Sequence, residues 1–143
     1  MITVYLAGAM SGFHESGEYH KATEWRDYTR DCFAESNIRV FDPTHNSLRH
    51  FTYSTDLNNG VIHQNHAYLK KCDIVLVNLE RLDDSIGSVW EISMAWADHK
   101  PVIGFGRCEK WESRPHFQSL ITASFDNVEN ACDYIISMYN QKI

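Results

Sequence analysis

The sequence predicts an α/β domain: a parallel sheet of about five strands with helices on both faces. Three observations point there. The apolar runs at 2–7, 73–79 (DIVLVNL) and 101–106 are nearly continuous rather than alternating, as expected of strands buried on both faces. Stretches with helical spacing separate them, giving the order βαβ-αβαβ-βα, which short right-handed crossovers turn into a parallel sheet. At 143 residues the chain suits one domain around one core.

The elements follow in order. Residues 2–7 are rich in β-formers and end at Gly8, so they read as a buried first strand. Residues 8–17 hold three glycines and two serines and read as a loop. In 18–36, Tyr19, Ala22, Trp25, Tyr28, Cys32 and Phe33 recur at mostly helical spacing between charges, predicting an amphipathic helix. A second strand at 38–41 stops at Asp42-Pro43, and 44–59 is polar and aromatic without a period, a long loop of the functional kind. A helix over 60–72, the strand 73–79, a polar loop over 80–86, a helix over 87–99 and the strand 101–106 come next. Residues 107–119 read as an irregular loop, 120–124 as a short fifth strand, and 127–140 as a closing helix with Val128, Ala131, Cys132, Ile135, Ile136 and Tyr139 inward. The whole is a three-layer sandwich of flavodoxin-like or Rossmann-like order. Ligands of such sheets lie beyond the carboxyl ends of the strands, where strand order reverses. Segments 8–17, 42–59 and 80–91 should meet there.

Composition excludes several function classes. The formal charge is −6, from 13 basic and 19 acidic residues, with no Lys or Arg run to track a phosphate backbone, so polymeric nucleic acid is not the expected partner. No apolar run of membrane-spanning length occurs. MITVYLAGAMSG lacks the basic start and apolar core of a signal peptide. Cys32, Cys72, Cys108 and Cys132 form no C-x-x-C pair and read as reduced thiols, giving a cytoplasmic expectation.

Glu91 is the first candidate for chemistry. It follows the polar loop, about a turn into a helix, where the helix start favours an anion and should keep the carboxylate ionised. A solvated helix-start glutamate is the plain alternative. Around it, Gly87 lets backbone approach a ligand, and Ser85 and Ser88 can donate hydrogen bonds or cap the helix.

YLAGAMSG (5–12), CDIVLVNL (72–79), SIGSVWEISMAWA (85–97) and KPVIGFG (100–106), in this order and spacing, resemble the nucleoside 2-deoxyribosyltransferase family, whose wider group includes deoxynucleoside 5′-monophosphate N-glycosidases. The stretch 72–106 is the specific part. The resemblance implies one such domain over 1–143 with no cofactor. It also implies a nucleoside or nucleotide substrate, and a homo-oligomer in which a neighbouring subunit completes the site through 117–124, Ser119 or Thr122 included. It makes Glu91, four residues after Gly87, the nucleophile that attacks the anomeric carbon and carries a covalent deoxyribosyl group. Tyr5 matches the family's aromatic residue near the nucleophile, though a core strand aromatic reads equally well. Gly8, Ser11, Gly12, Asp84, Ser85, Gly87, Ser88 and Ser119 are the implied substrate contacts.

Two positions depart from the family pattern. Many members carry an aspartate eight residues before the one that opens the third strand; counted from Asp73, that position is Asn65. An amide can hold a base but cannot act as a general acid, and His63 or His66 beside it could substitute. Six residues before Glu91 stands Ser85, where nucleoside-using members often have an aspartate and monophosphate hydrolases a serine. Ser85, with Ser11, therefore tilts toward a 5′-monophosphate, while Asp83 and Asp84 pull the other way. Transfer of deoxyribose is the first expectation, monophosphate hydrolysis the second, and a non-catalytic nucleotide-binding module the third.

Other constellations are weak. His63-x-x-His66 has metal-compatible spacing but no convincing third ligand, so no metal is expected. Residues 8–12 lack the G-x-G-x-x-G or G-K-[ST] pattern, and no G-x-S-x-G elbow occurs. Asp73 reads as structural, and Trp90, Met94 and Trp96 as core or subunit contacts.

Overall fold

In the computed structural model, which describes residues 1–45 and 55–140 and leaves undescribed the side chains of 55–58, the strands β1 (Ile2–Ala7), β2 (Ile38–Phe41), β3 (Ile74–Asn78), β4 (Val102–Phe105) and β5 (Ala123–Phe125) form one parallel sheet in the order β2-β1-β3-β4-β5. The expected α/β class and flavodoxin-like order are both present. Strand order reverses between β1 and β3, which places the ligand crevice at their carboxyl ends.

Side chains alternate across the sheet and build two cores. Val4 and Leu6 of β1 face the layer formed by α2 (His20–Phe33) and α6 (Val128–Tyr139), joining Trp25, Phe33, Ala131, Cys132 and Ile135. Tyr5 and Ala7 face the opposite layer, where Leu69 of α3 (Thr55–Lys71) and Ile92 and Ala95 of α4 (Ile86–Ala97) pack. β3 is buried along its whole length, which explains its unbroken apolar run. Asp73 is structural, as expected: its Oδ2 accepts from the Thr3 N–H (2.9 Å) and its own N–H donates to the Thr3 carbonyl (2.8 Å), fixing the β1–β3 register.

Four boundaries differ from expectation. Within 8–17 a short helix, α1 (Ser11–Glu15), forms and buries Phe13; five residues are too few to show a period. Of the loop expected over 44–59, residues 46–54 lie outside the described residues; Pro43–His45 is a 3-10 turn and α3 already runs from Thr55. Within 107–119 a helix, α5 (Pro115–Leu120), starts on a proline at its first position, where the missing N–H costs nothing. The fifth strand is shifted toward the carboxyl terminus, because Thr122 is spent before the ladder begins: its N–H donates to the Val102 carbonyl (2.8 Å) and its Oγ1 accepts from the Val102 N–H (2.9 Å). Among the described residues no helix is long and apolar enough to cross a membrane.

Candidate active site

Glu91 stands in the second turn of α4, deeper than the first-turn position expected from sequence. Its side chain reaches a cavity of about 530 Å³ between α3 and α4, walled largely by Ile62, Ile86 and Val89, with Gly87 also lining it. Asn65 and His66 enter the same cavity from α3. The structure thus brings together Glu91, Asn65 and Gly87, which lie 26 residues apart from first to last. At Gly87 an added Cβ would meet nothing within 4 Å, so the backbone there is open to a ligand.

The charge state of Glu91 differs from the sequence expectation. Its Oε2 is buried and, among the described residues, has no partner of ordinary hydrogen-bond geometry. Burial pushes the carboxyl up to about 7, and the Tyr5 hydroxyl and the Arg26 charge only partly oppose that. The helix start does not hold this carboxylate ionised, because at the second turn the side chain is desolvated before it is near the free N–H groups. A carboxyl near neutrality beside an apolar cavity has the character of a reactive group rather than a solvated one.

Tyr5 is fully buried within β1, in a stack with Phe41 (centroids 5.4 Å apart) that continues to Tyr68 (4.4 Å). Among the described residues its hydroxyl has no partner of ordinary hydrogen-bond geometry, yet it lies close enough to Glu91 to respond to it. Burial first, and then the Glu91 charge, raise the phenol well above its usual value, so it stays a neutral donor.

The remaining expected contacts gather at the adjoining rim rather than in the cavity. Gly8 ends β1 under Trp25 and Asn78, each 3.2 Å from where a Cβ would sit, so larger side chains are excluded by packing. Gly12 lies against Asp84 and Arg81, with Cβ-equivalent distances of 3.5 and 3.6 Å; the first and third loops do meet. Arg81, in a left-handed backbone conformation (φ 58°), binds Asp84 (3.1 Å) and covers the Phe13 ring at 5.6 Å. Asp42 joins the group through Arg26, but the rest of that segment to residue 54 lies outside the described residues beyond His45. Ser11 is exposed at the start of α1. Ser85 caps α4: its Oγ accepts from the Ser88 N–H (3.4 Å) and donates to the Ser88 Oγ (2.8 Å). Ser88 itself is buried, so it supports Ser85 rather than presenting a hydroxyl to solvent. Ser119 is not brought near: it is exposed on α5, where its hydroxyl donates to the His116 carbonyl (2.7 Å).

One group escapes the sequence reading, and a second, Trp90, reads there as a core or subunit contact. Arg26 is buried beneath the end of β1, donating to the carbonyls of Ala22 (2.9 Å), Leu6 (3.0 Å) and Gly8 (3.3 Å), and pairing with buried Asp42 (3.3 Å). It occupies the inward stripe of α2 with Ala22, Trp25, Thr29 and Phe33, and a charge on that stripe was the available signal. Trp90 is half exposed at the cavity wall, not in the core.

Known proteins share the fold and the family of this chain. The family described as "Nucleoside 2-deoxyribosyltransferase" matches residues 4–132. No curated protein sequence matches. Among solved structures, a 2-deoxyribosyltransferase from Bacillus psychrosaccharolyticus superposes with TM-score 0.71 at 21% identity, covering 92% of this chain and 91% of that one. A conserved protein from Enterococcus faecalis V583 gives 0.68 at 14% identity, over 96% and 98%. The Clostridium botulinum CMP N-glycosidase BcmB gives 0.53 at 15%, over 93% and 96%. These likenesses show a shared fold; with the family match across nearly the whole sequence, the chain belongs to the nucleoside 2-deoxyribosyltransferase family.

Proposed function

We propose that this protein cleaves the N-glycosidic bond of a 2′-deoxyribonucleoside and passes the deoxyribose to another base through a covalent intermediate on Glu91. The observation that carries this reading is the Glu91 carboxyl itself, desolvated at the wall of a cavity beside the strand-order reversal, with one oxygen unpaired. An ionised Glu91 oxygen forms a bond to C1′ as the C1′–base bond breaks and its electron pair leaves with the base. The departing base takes up a proton from solvent, and a ring nitrogen of an incoming base then displaces the carboxylate, giving up its own N–H proton to solvent, so that no net proton is consumed. Tyr5, kept neutral, steadies the carboxylate, and Asn65 hydrogen-bonds the base. No step calls on a cofactor or metal.

Hydrolysis of a 5′-monophosphate is the rival reading, motivated by Ser85 and Ser11. Transfer is preferred because the Ser85 hydroxyl is committed to capping α4, its oxygen accepting from the Ser88 N–H and its proton going to the Ser88 hydroxyl. A homo-oligomer is part of the same reading, since Ser119 needs a neighbouring subunit to reach any site. Rapid quenching during turnover, followed by peptide mapping, tests the intermediate. A deoxyribosyl group on the peptide containing Glu91 is expected, whereas turnover with no such adduct, or an adduct elsewhere, contradicts it. Removing the 5′-phosphate from the substrate should leave turnover in place; its abolition would favour the hydrolase.

A further inference from the structure

The cavity beside Glu91 contains a second buried polar atom to which that chemistry gives no task. Among the described residues, the Nε2 of His66 is shut off from solvent and meets no hydrogen-bond partner. Its imidazole meets the Trp90 ring edge-on, with centroids 3.9 Å apart and planes at 69°. Burial, followed by the neighbouring charges of His63 and Lys70, holds the ring below its usual value, so it is uncharged at neutral pH. A neutral imidazole can give or take a hydrogen bond, and a buried nitrogen left unpaired is unfavourable until a ligand reaches it.

The surroundings describe the ligand that fits. Ile62, Ile86 and Val89 offer flat apolar contact, and His66 and Asn65 are the polar groups on the α3 side. Trp90 is 48% exposed, so its ring is the part of the wall with room to turn aside. A planar heterocycle with a polar edge satisfies both requirements: its face stacks on an aromatic ring and its edge meets the orphan nitrogen.

We infer that His66 and Trp90 form the nucleobase clamp, with the base face lying on Trp90 and the base edge hydrogen-bonded to His66 Nε2. The clamp rests on the proposed reading in one respect: the base it holds is bonded to the sugar carbon that Glu91 attacks. His66 thereby becomes a specificity-determining residue, and Trp90 the element that opens for the base.

Base binding can be read without turnover. Protein carrying ¹⁵N-labelled histidine is titrated with adenine, hypoxanthine, cytosine and thymine; the His66 Nε2 signal is the one missing from His66→Phe, which keeps a ring against Trp90. At least one base should move that signal saturably. His66→Phe should bind that base about tenfold more weakly, the effect of one lost hydrogen bond, and His66→Gln should restore part of the loss. If no base moves the signal, or if His66→Phe binds every base as tightly as the wild type, the clamp is wrong. A moving His66 signal in a protein that turns over no deoxynucleoside would sink the Glu91 chemistry and leave the clamp standing. Turnover with a silent His66 would do the reverse.

Discussion

At the scale of single residues, one carboxyl links function to stability. Glu91 titrates near 7 because it is buried, and the ordinary value applies in the unfolded chain. The sign follows from proton counting: between the unfolded value, near 4.5, and about 7 the folded protein binds the extra proton, so stability is highest below that window and falls as pH rises through it. Glu91→Gln, which cannot ionise, should therefore raise the melting temperature at pH 8 by several degrees, reflecting about 3 kcal/mol, and change it little at pH 4. Thermal unfolding at the two pH values checks this; equal shifts at both would show that Glu91 is not desolvated. Activity runs the opposite way. The nucleophile must be ionised, so kcat/KM should climb with pH to a limb near 7 and flatten above it. A flat profile from pH 5 to 8 would contradict the assignment. The sequence reads Glu91 as an ionised carboxylate near a helix start; the cavity that desolvates the side chain is made with α3, from another part of the chain, and leaves no mark on the spacing around Glu91. Asn65 offers a separate residue-scale test: Asn65→Asp should raise turnover or widen base choice, as measured over a panel of deoxynucleosides, and no change would show that the amide was no handicap.

At the scale of elements, the buried ion cluster beneath β1 holds the crevice in shape. Asp42, at the end of β2, pairs with Arg26 and Arg30 of α2 and accepts from the Thr44 N–H (3.0 Å) and hydroxyl (2.7 Å). Burial alone would raise its carboxyl, but Thr44 and the arginines outweigh that and bring it below the usual range. Asp42→Asn leaves the Arg26 charge uncompensated and should destabilise the fold by about 3 kcal/mol, measured by urea unfolding. A loss below about 1 kcal/mol would mean that the backbone carbonyls of Leu6 and Gly8 suffice to hold Arg26. In the sequence this cluster left one signal, the charge of Arg26 on the inward stripe of α2; Asp42-Pro43 showed only a strand end, and nothing in its spacing paired it with α2. The long elements were legible because their patterns are strong. β1 and β2 match residue for residue, and α6 carries its apolar stripe with Asn127 as cap. The short helices α1 and α5 were not, since five or six residues give a period no room to appear.

At the scale of the whole molecule, parallel strands with crossovers on both faces fix a single place for a ligand, and the rim at Gly12 and Asp84 and the cavity at Glu91 both adjoin it. The exposed apolar side chains on α4, Ile86 at 88% and Trp96 at 55%, together with the distant Ser119, fit the proposed homo-oligomer. Sedimentation should therefore give a mass of at least two chains; a fully active monomer would remove Ser119 from the site. The most direct test of the Glu91 chemistry is base exchange. Each deoxynucleoside and its 5′-monophosphate is incubated with wild-type protein, with and without a free acceptor base, and the products are separated by chromatography alongside Glu91→Ala. The expected result is exchange that requires the acceptor in the wild type and is abolished in a folded Glu91→Ala protein. Unchanged turnover in Glu91→Ala would contradict the assignment of Glu91 as nucleophile.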